Sequence, residues 1–230
     1  MNHIYPTHVE EDTELYDAVI AGLRDRIGAD RPREGVHVSD LLYCLLKTRT
    51  LRDLGALRME ALGETPDERI MTYMIGNSHE ELFGSRLIRG QAKELDDIWY
   101  SVDMWSQPDE DGEMRLIEKK STRSSAKNEL TDSQHYIDQL ASYLAAEQLT
   151  TGTVAITHLM GDYSKPPQAK LRMHKATFSK HALADWWGEL LRRKAVLEDV
   201  RIPPAQPRYV WECDYCPVKA YLKCPGGKAA

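Results

Sequence analysis

The sequence predicts an α/β (α+β) protein in which helices cover a central sheet. Helical periodicity opens the chain and returns in its middle and near its end. Between those stretches lie two pairs of short strand-like segments, each pair split by turn-forming residues. At 230 residues and 42% hydrophobic, the chain is also large enough to bury such a core.

Residues 10–27 carry Leu15, Val19, Ile20 and Leu23 at helical spacing and stop at Gly28, which gives an acidic amphipathic helix. "DRPREG" follows as a loop. Ser39 is placed to cap a helix running through Cys44 toward Arg49, and Pro66 stands at the start of another over 67–89. "DIWYSVDMW" over 97–105 reads as a strand, "SQPDEDGE" as a turn and "MRLIEKK" as a second strand, together an antiparallel hairpin. A helix over 131–149 contains Tyr136, Leu140, Tyr143 and Leu144. "TGTVAITHLM" and "AKLRMHKATF" are two further strands around "GDYSKPPQ", and 179–197 is a last long helix. "RIPPAQPR" then forms a proline-stiffened linker.

The formal charge of -6 excludes a protein that coats nucleic acid through a global positive field. It is compatible with an enzyme whose site is acidic because it holds a divalent metal. "MNHIYPTHVEEDTELYD" lacks the basic and apolar regions of a secretory signal, and no apolar run is long enough to span a bilayer. A soluble, cytoplasmic protein with no membrane partner is the expectation.

In such a compartment cysteines stay reduced, which turns attention to the four that this chain has. Cys213, Cys216 and Cys224 crowd into "WECDYCPVKAYLKCP", a segment with prolines and aromatics but little apolar periodicity, the kind that thiolate ligation to a metal stabilises. Cys44, in "SDLLYCLLK", taken by itself reads as a buried apolar filler, which would leave Cys213 and Cys216 as a redox or metal pair. As a fourth thiolate it would tie the two ends of the chain together. Zinc and a [4Fe-4S] cluster both accept four thiolates, so ligand count leaves both open.

Between the cysteines stand His79 in "GNSHEE", Asp103 in "YSVDM", Glu118 and Lys120 in "LIEKKS", and Gln139 and Tyr143 in "DQLASY". Residues two apart on a strand share a face, so Glu118 and Lys120 project together, and the hairpin can bring Asp103 alongside. Two carboxylates chelate Mg2+ or Mn2+, and such a metal lowers the pKa of a bound water and screens the phosphate that water attacks. Lys120 is suited to orient the water or to stabilise charge in the transition state. His79, from a helix, can complete the metal shell and would favour Mn2+. Gln139 and Tyr143, four apart on a helix, share a face where an amide and a phenol can hold either a phosphate or the lysine. Each element has an ordinary alternative: Glu-x-Lys as a solvated strand face, His79 as a satisfied helix histidine, Asp103 as an exposed strand residue, and Gln139 and Tyr143 as the two edges of one helix.

In this order, on these element types, the residues resemble the PD-(D/E)XK nuclease superfamily, specifically RecB-like exonucleases with an iron-sulfur cluster, among which small CRISPR-associated and phage-encoded members are similar in size. The resemblance covers nearly everything after "VHVSDLLYC". It implies a restriction-endonuclease-like core with a central mixed sheet flanked by helices. It implies catalysis by Asp103, Glu118, Lys120, Gln139 and Tyr143, with Mg2+ or Mn2+ held by His79, Asp103, Glu118 and the backbone carbonyl of Lys119. It further implies a [4Fe-4S] cluster on Cys44, Cys213, Cys216 and Cys224, and hydrolysis of DNA from ends, single-stranded or duplex with overhangs. Residues 1–65 then form an N-terminal helical region, 66–200 the nuclease core, and 201–230 a cysteine segment that packs with the N-terminal helices. A DNA-processing protein partner and a homo-oligomer are compatible with this family. Ser101 stands where the family has glycine, and Lys119 where it has an apolar residue; on the strand face opposite Glu118 that lysine requires either an open face or a snorkelling stem. "STRSSAKNE" supplies Arg123 and Lys127 as contacts to DNA phosphates, or is a flexible polar loop. The other readings are a non-catalytic adaptor that keeps the nuclease fold and a zinc-stapled structural domain.

Overall fold

Val154, Ala155 and Ile156 are an unbroken apolar run buried on both faces, the mark of a strand inside a parallel pairing. They lie in β7 (Thr151–His158), which runs parallel to β6 (Leu116–Thr122) and antiparallel to the edge strand β8 (Lys170–Thr177). With β5 (Met104–Trp105) and β2 (Ile88–Arg89) they form a five-stranded mixed sheet in the order β2-β5-β6-β7-β8. A second sheet joins β1 (Val36–His37), β4 (Ile98–Ser101) and β3 (Ala92–Leu95) in the order β1-β4-β3. This computed structural model describes residues 13–27, 34–63, 66–82 and 87–224, without the side chains of 14, 15, 25–27, 56, 59 and 76–82.

The parallel β6–β7 pair needs a crossover, supplied by α6 (Gln134–Ala146) after a 3-10 turn at Leu130–Ser133. Leu140 and Leu144 of α6 are fully buried against this sheet. A Cβ at Gly152 would meet Leu140 Cδ1 at 2.9 Å and Leu144 Cδ2 at 3.2 Å, so the bare backbone there lets the helix sit close. The same core takes in Val38, Leu41 and Leu42 of α2 (Val38–Leu42) and Leu183, Trp187, Leu190 and Leu197 of α7 (Lys180–Glu198). α7 is N-capped by Ser179, whose hydroxyl accepts from the Ala182 N–H at 3.1 Å. A smaller cluster of Met104, Ile117 and Ala155 lies apart from this core. The strand pattern places it on the other sheet face, and α5 (Asp67–Leu82) packs on β6 with α1 (Thr13–Ile27) against it. Mixed sheets flanked by helices agree with the predicted fold class.

Several elements differ from expectation. The helix expected from Ser39 through Cys44 is two: α2 begins after His37, whose N–H donates to Asp40, and α3 (Leu45–Leu54) begins after Cys44. Between them Tyr43 is extended, and its carbonyl, with that of Leu41, accepts from the Arg193 guanidinium at 2.5 Å. A long-range arginine thus takes up carbonyls that a continuous helix would have used. The helix expected over 67–89 ends at Leu82, and Ile88–Arg89 is strand. The strand expected over 97–105 breaks at Val102–Asp103 and passes from the smaller sheet to the larger. Gly90 makes the break: its N–H donates to the Asp103 carbonyl at 3.2 Å, and a Cβ there would lie 1.9 Å from the Val102 oxygen. The "DRPREG" loop falls largely outside the described residues.

Candidate active site

The break after Ser101 matters because of what it does to Asp103. Met104 pairs with Ile117 and Trp105 with Leu116, so Asp103 stands one step further along, opposite Glu118. Its Oδ2 accepts from the Lys119 backbone N–H at 2.8 Å, which fixes the carboxylate at the mouth of the ladder. On β6, Leu116, Glu118 and Lys120 alternate with Ile117 and Lys119, so the acid and the ammonium share the face that α6 covers. Glu118 has no exposed surface and its Oε1 lies 2.5 Å from Lys120 Nζ.

Lys120 Nζ donates to Gln139 Oε1 at 3.0 Å, and Gln139 Nε2 donates to the Tyr143 hydroxyl at 2.9 Å. The sequence left open whether Gln139 and Tyr143 hold a phosphate or the lysine; they hold the lysine. Burial works against the Lys120 charge, yet the Glu118 and Asp103 carboxylates outweigh it and raise the pKa, so Lys120 is an ammonium at any working pH. Tyr143 is raised by burial and then by the Glu118 charge, and keeps its proton. Two carboxylates facing one ammonium leave a net negative charge at a buried spot, which suits a divalent cation.

His79 lies on α5, and its side chain falls outside the described residues. Among the described residues no three of His, Cys, Asp or Glu are grouped to hold one metal ion. Lys119 is buried, so of the two expectations for its face the open one fails. Arg123 and Lys127 are both exposed in the segment that leaves the end of β6. That segment is not a loose loop: Arg172 Nη1 donates to the carbonyls of Ala126 and Asn128 at 2.7 Å, the Ala126 N–H donates to Gly161 at 2.7 Å, and His158 Nδ1 lies 2.9 Å from the Ser124 oxygen.

Cys44, Cys213, Cys216 and Cys224 line one small cavity together with Lys47 and Glu212. Burial raises the pKa of the Cys216 thiol, with Cys44 and Cys213 adding to the shift. Glu212, 3% exposed, ties the Cys44 turn to the segment that carries the other three cysteines. Its Oε2 accepts from the Cys44 N–H at 2.7 Å, and its Oε1 accepts from the N–H groups of Arg208 and Tyr209 at 2.7 and 2.9 Å. Asp138 of α6 adds a second tie, accepting from Arg208 Nε at 2.9 Å and from the Tyr209 hydroxyl at 2.6 Å.

Sequence reasoning missed Gly90, Glu212 and the rings beside Lys120. Of these only Gly90 carried a signal, a glycine just past the helix expected over 67–89 that marks a break in regular structure. Tyr136 lies under Lys120, its ring centroid 5.7 Å from Nζ, with the His135 ring 4.1 Å from that of Tyr136. Burial, and then the Lys120 ammonium, lower the His135 pKa to about 4.

Compared with known proteins, residues 11–221 match the family model described as the PD-(D/E)XK nuclease superfamily. A solved structure described as the crystal structure of SSO0001 is similar in fold, with a TM-score of 0.56 over 92% of this chain and 96% of that one, at 16% sequence identity. No curated protein matches the sequence significantly.

Proposed function

From a chain that belongs to the PD-(D/E)XK nuclease superfamily, whose members are typically metal-dependent nucleases, we propose a metal-dependent exonuclease that hydrolyses DNA phosphodiesters from strand ends. The observation that carries this is Asp103 standing opposite Glu118, with Glu118 buried on the Lys120 ammonium. Asp103, Glu118, the Lys119 carbonyl and His79 are the groups that would hold Mg2+ or Mn2+. Such an ion supplies an acidified water and a counter-charge for the phosphate.

The chain's own residues do the rest. Lys120, kept charged by two carboxylates, donates to the attacking oxygen or to the phosphoryl oxygen as negative charge builds. Gln139 accepts one of its hydrogens and Glu118 a second, which leaves the third aimed by geometry, and Tyr143 fixes the amide. Arg123 and Lys127 lie where the strand leaves the site and are suited to backbone phosphates. Four cysteines around one cavity support a [4Fe-4S] cluster with a structural role, zinc being the other group that four thiolates would accept. No helix among the described residues is long and apolar enough to cross a membrane, which accords with a cytoplasmic site of action. Spacer handling of the CRISPR type, recombination and repair are the settings such an activity serves.

The test is degradation of end-labelled linear single- and double-stranded DNA by purified protein with Mg2+ or Mn2+. Activity should be abolished by EDTA and lowered at least about a hundredfold in Asp103→Ala and Lys120→Ala. Activity unchanged in both variants overturns the assignment. Metal binding without any cleavage by the wild-type protein would instead favour the non-catalytic adaptor.

A further inference from the structure

Next to Lys120, a row of aromatic rings leaves the carboxylates and runs toward the surface of the cysteine segment. Tyr136 carries Lys120 Nζ over its face, and His135 packs on Tyr136 at 4.1 Å between centroids. The His135 ring then meets Trp211 at 5.3 Å and Tyr209 at 5.7 Å. Trp211 and Tyr209 are parallel within 4° at 5.8 Å, and Tyr43 closes the row at 5.9 Å from both. A second ammonium, Lys47 Nζ, lies 4.5 Å over the Tyr43 ring.

Tyr209 is sealed, at 8% exposure, but Trp211 is 37% exposed and Tyr43, His135 and Tyr136 are all partly accessible. His135 is an uncharged ring near neutral pH, so along its length the row offers π-faces rather than charge, with an ammonium at each end. Flat faces bracketed by cations match a single-stranded nucleic acid, whose bases stack on aromatics while its phosphates meet lysines.

We propose that Tyr43, His135, Tyr136 and Trp211 form a base-stacking ledge that holds unpaired nucleotides of the substrate strand beside Lys120, with Lys47 taking a phosphate at its outer end. The substrate class is then DNA with an unpaired end, read by stacking and not by sequence. This rests on the nuclease assignment of the neighbouring carboxylates. It also gives the cysteine segment, through Trp211, a part in substrate binding besides closing the fold.

The experiment measures binding of fluorescein-labelled oligothymidylate to the full chain by anisotropy in EDTA, where no cleavage occurs. Trp211→Ala should weaken binding about five- to 150-fold, the contribution of one stacked base, while Trp211→Phe stays within about twofold of wild type. In the wild type, oligothymidylate should quench tryptophan emission, and Trp211→Phe should remove most of that quenching; this second readout stands if Trp211→Ala does not fold. Wild-type affinity in Trp211→Ala, undiminished quenching in Trp211→Phe, or no binding by the wild type each overturns the ledge. The first of these is the result expected if Trp211 belongs to a protein interface. Binding as described without cleavage in Mg2+ or Mn2+ would defeat the nuclease assignment alone.

Discussion

Asp103, Glu118 and Lys120 are an unequal set: two acids share one base. Removing an acid relieves repulsion, whereas removing the base leaves buried negative charge without its ammonium. Asp103→Asn keeps an acceptor for the Lys119 N–H and should hold or raise the melting temperature while abolishing cleavage. Lys120→Met should lower stability by about 3 kcal/mol, the low end for breaking a buried pair, measured by denaturant unfolding. Equal losses in both variants would contradict the charge balance described above. His135 makes a separate claim at this scale. Its folded pKa, about 4, lies below the ordinary value near 6.5. An unfolded chain therefore takes up a proton below about pH 6.5 that the folded chain refuses until about pH 4. Stability contributed by neutral His135 is complete above that window and is lost as pH falls through it. The drop in melting temperature from pH 7 to pH 4.5 should be smaller in His135→Phe than in the wild type, and an equal drop would show that this ring is not the group responsible.

Among the elements, α6 and the turn at Val210–Cys213 do most to join the site to the rest. α6 presents Leu140 and Leu144 to the sheet, Gln139 and Tyr143 to Lys120, and Asp138 to the cysteine segment, so one helix positions three functions by its 3.6-residue period. Glu212 is the counterpart from the C-terminal side. Three backbone N–H groups from two distant segments donate to one buried carboxylate, and Lys47 Nζ lies 3.8 Å away. Glu212→Ala leaves those donors unsatisfied, each at about 1–3 kcal/mol, and should destabilise by at least about 3 kcal/mol. Amide hydrogen exchange across 205–224 and at the start of α3 should rise together; a rise on one side alone would mean that Glu212 does not couple them.

For the molecule as a whole, the Cys44 turn and the segment carrying Cys213, Cys216 and Cys224 meet at one cavity, so a metal or cluster bound there, as proposed, would also supply folding energy. Anaerobically purified protein should be brown, with iron and sulfide in cluster proportions, and Cys213→Ala should be colourless or insoluble. Colourless wild-type protein containing zinc would replace the cluster, and soluble, brown, fully active Cys213→Ala would contradict a structural role. The ties through Glu212, Arg193 and Asp138 need no metal, so if the proposed cluster is present its loss should loosen the C-terminal segment before it reaches the β6–β7 core.

The sequence carried the sheet-and-helix class, the long helix after Ser179 and the Glu-x-Lys strand with its amide and phenol, while the helix expected over 131–149 is shorter, Gln134–Ala146 after a 3-10 turn. These are legible because period and local capping need no distant partner. It also determined which residue types could perform metal hydrolysis, since spacing along one strand or one helix fixes a shared face. Only tertiary structure settles where β4 ends, because the break depends on Gly90 in the link between β2 and β3, and where α2 stops, because Arg193 reaches the Leu41 and Tyr43 carbonyls from α7. It alone decided that Asp103 stands opposite Glu118, that Gln139 holds Lys120, and that a ring row joins the carboxylates to the cysteines. Register, close approach and long-range hydrogen bonding are relations between segments far apart in the chain, and no local pattern encodes them.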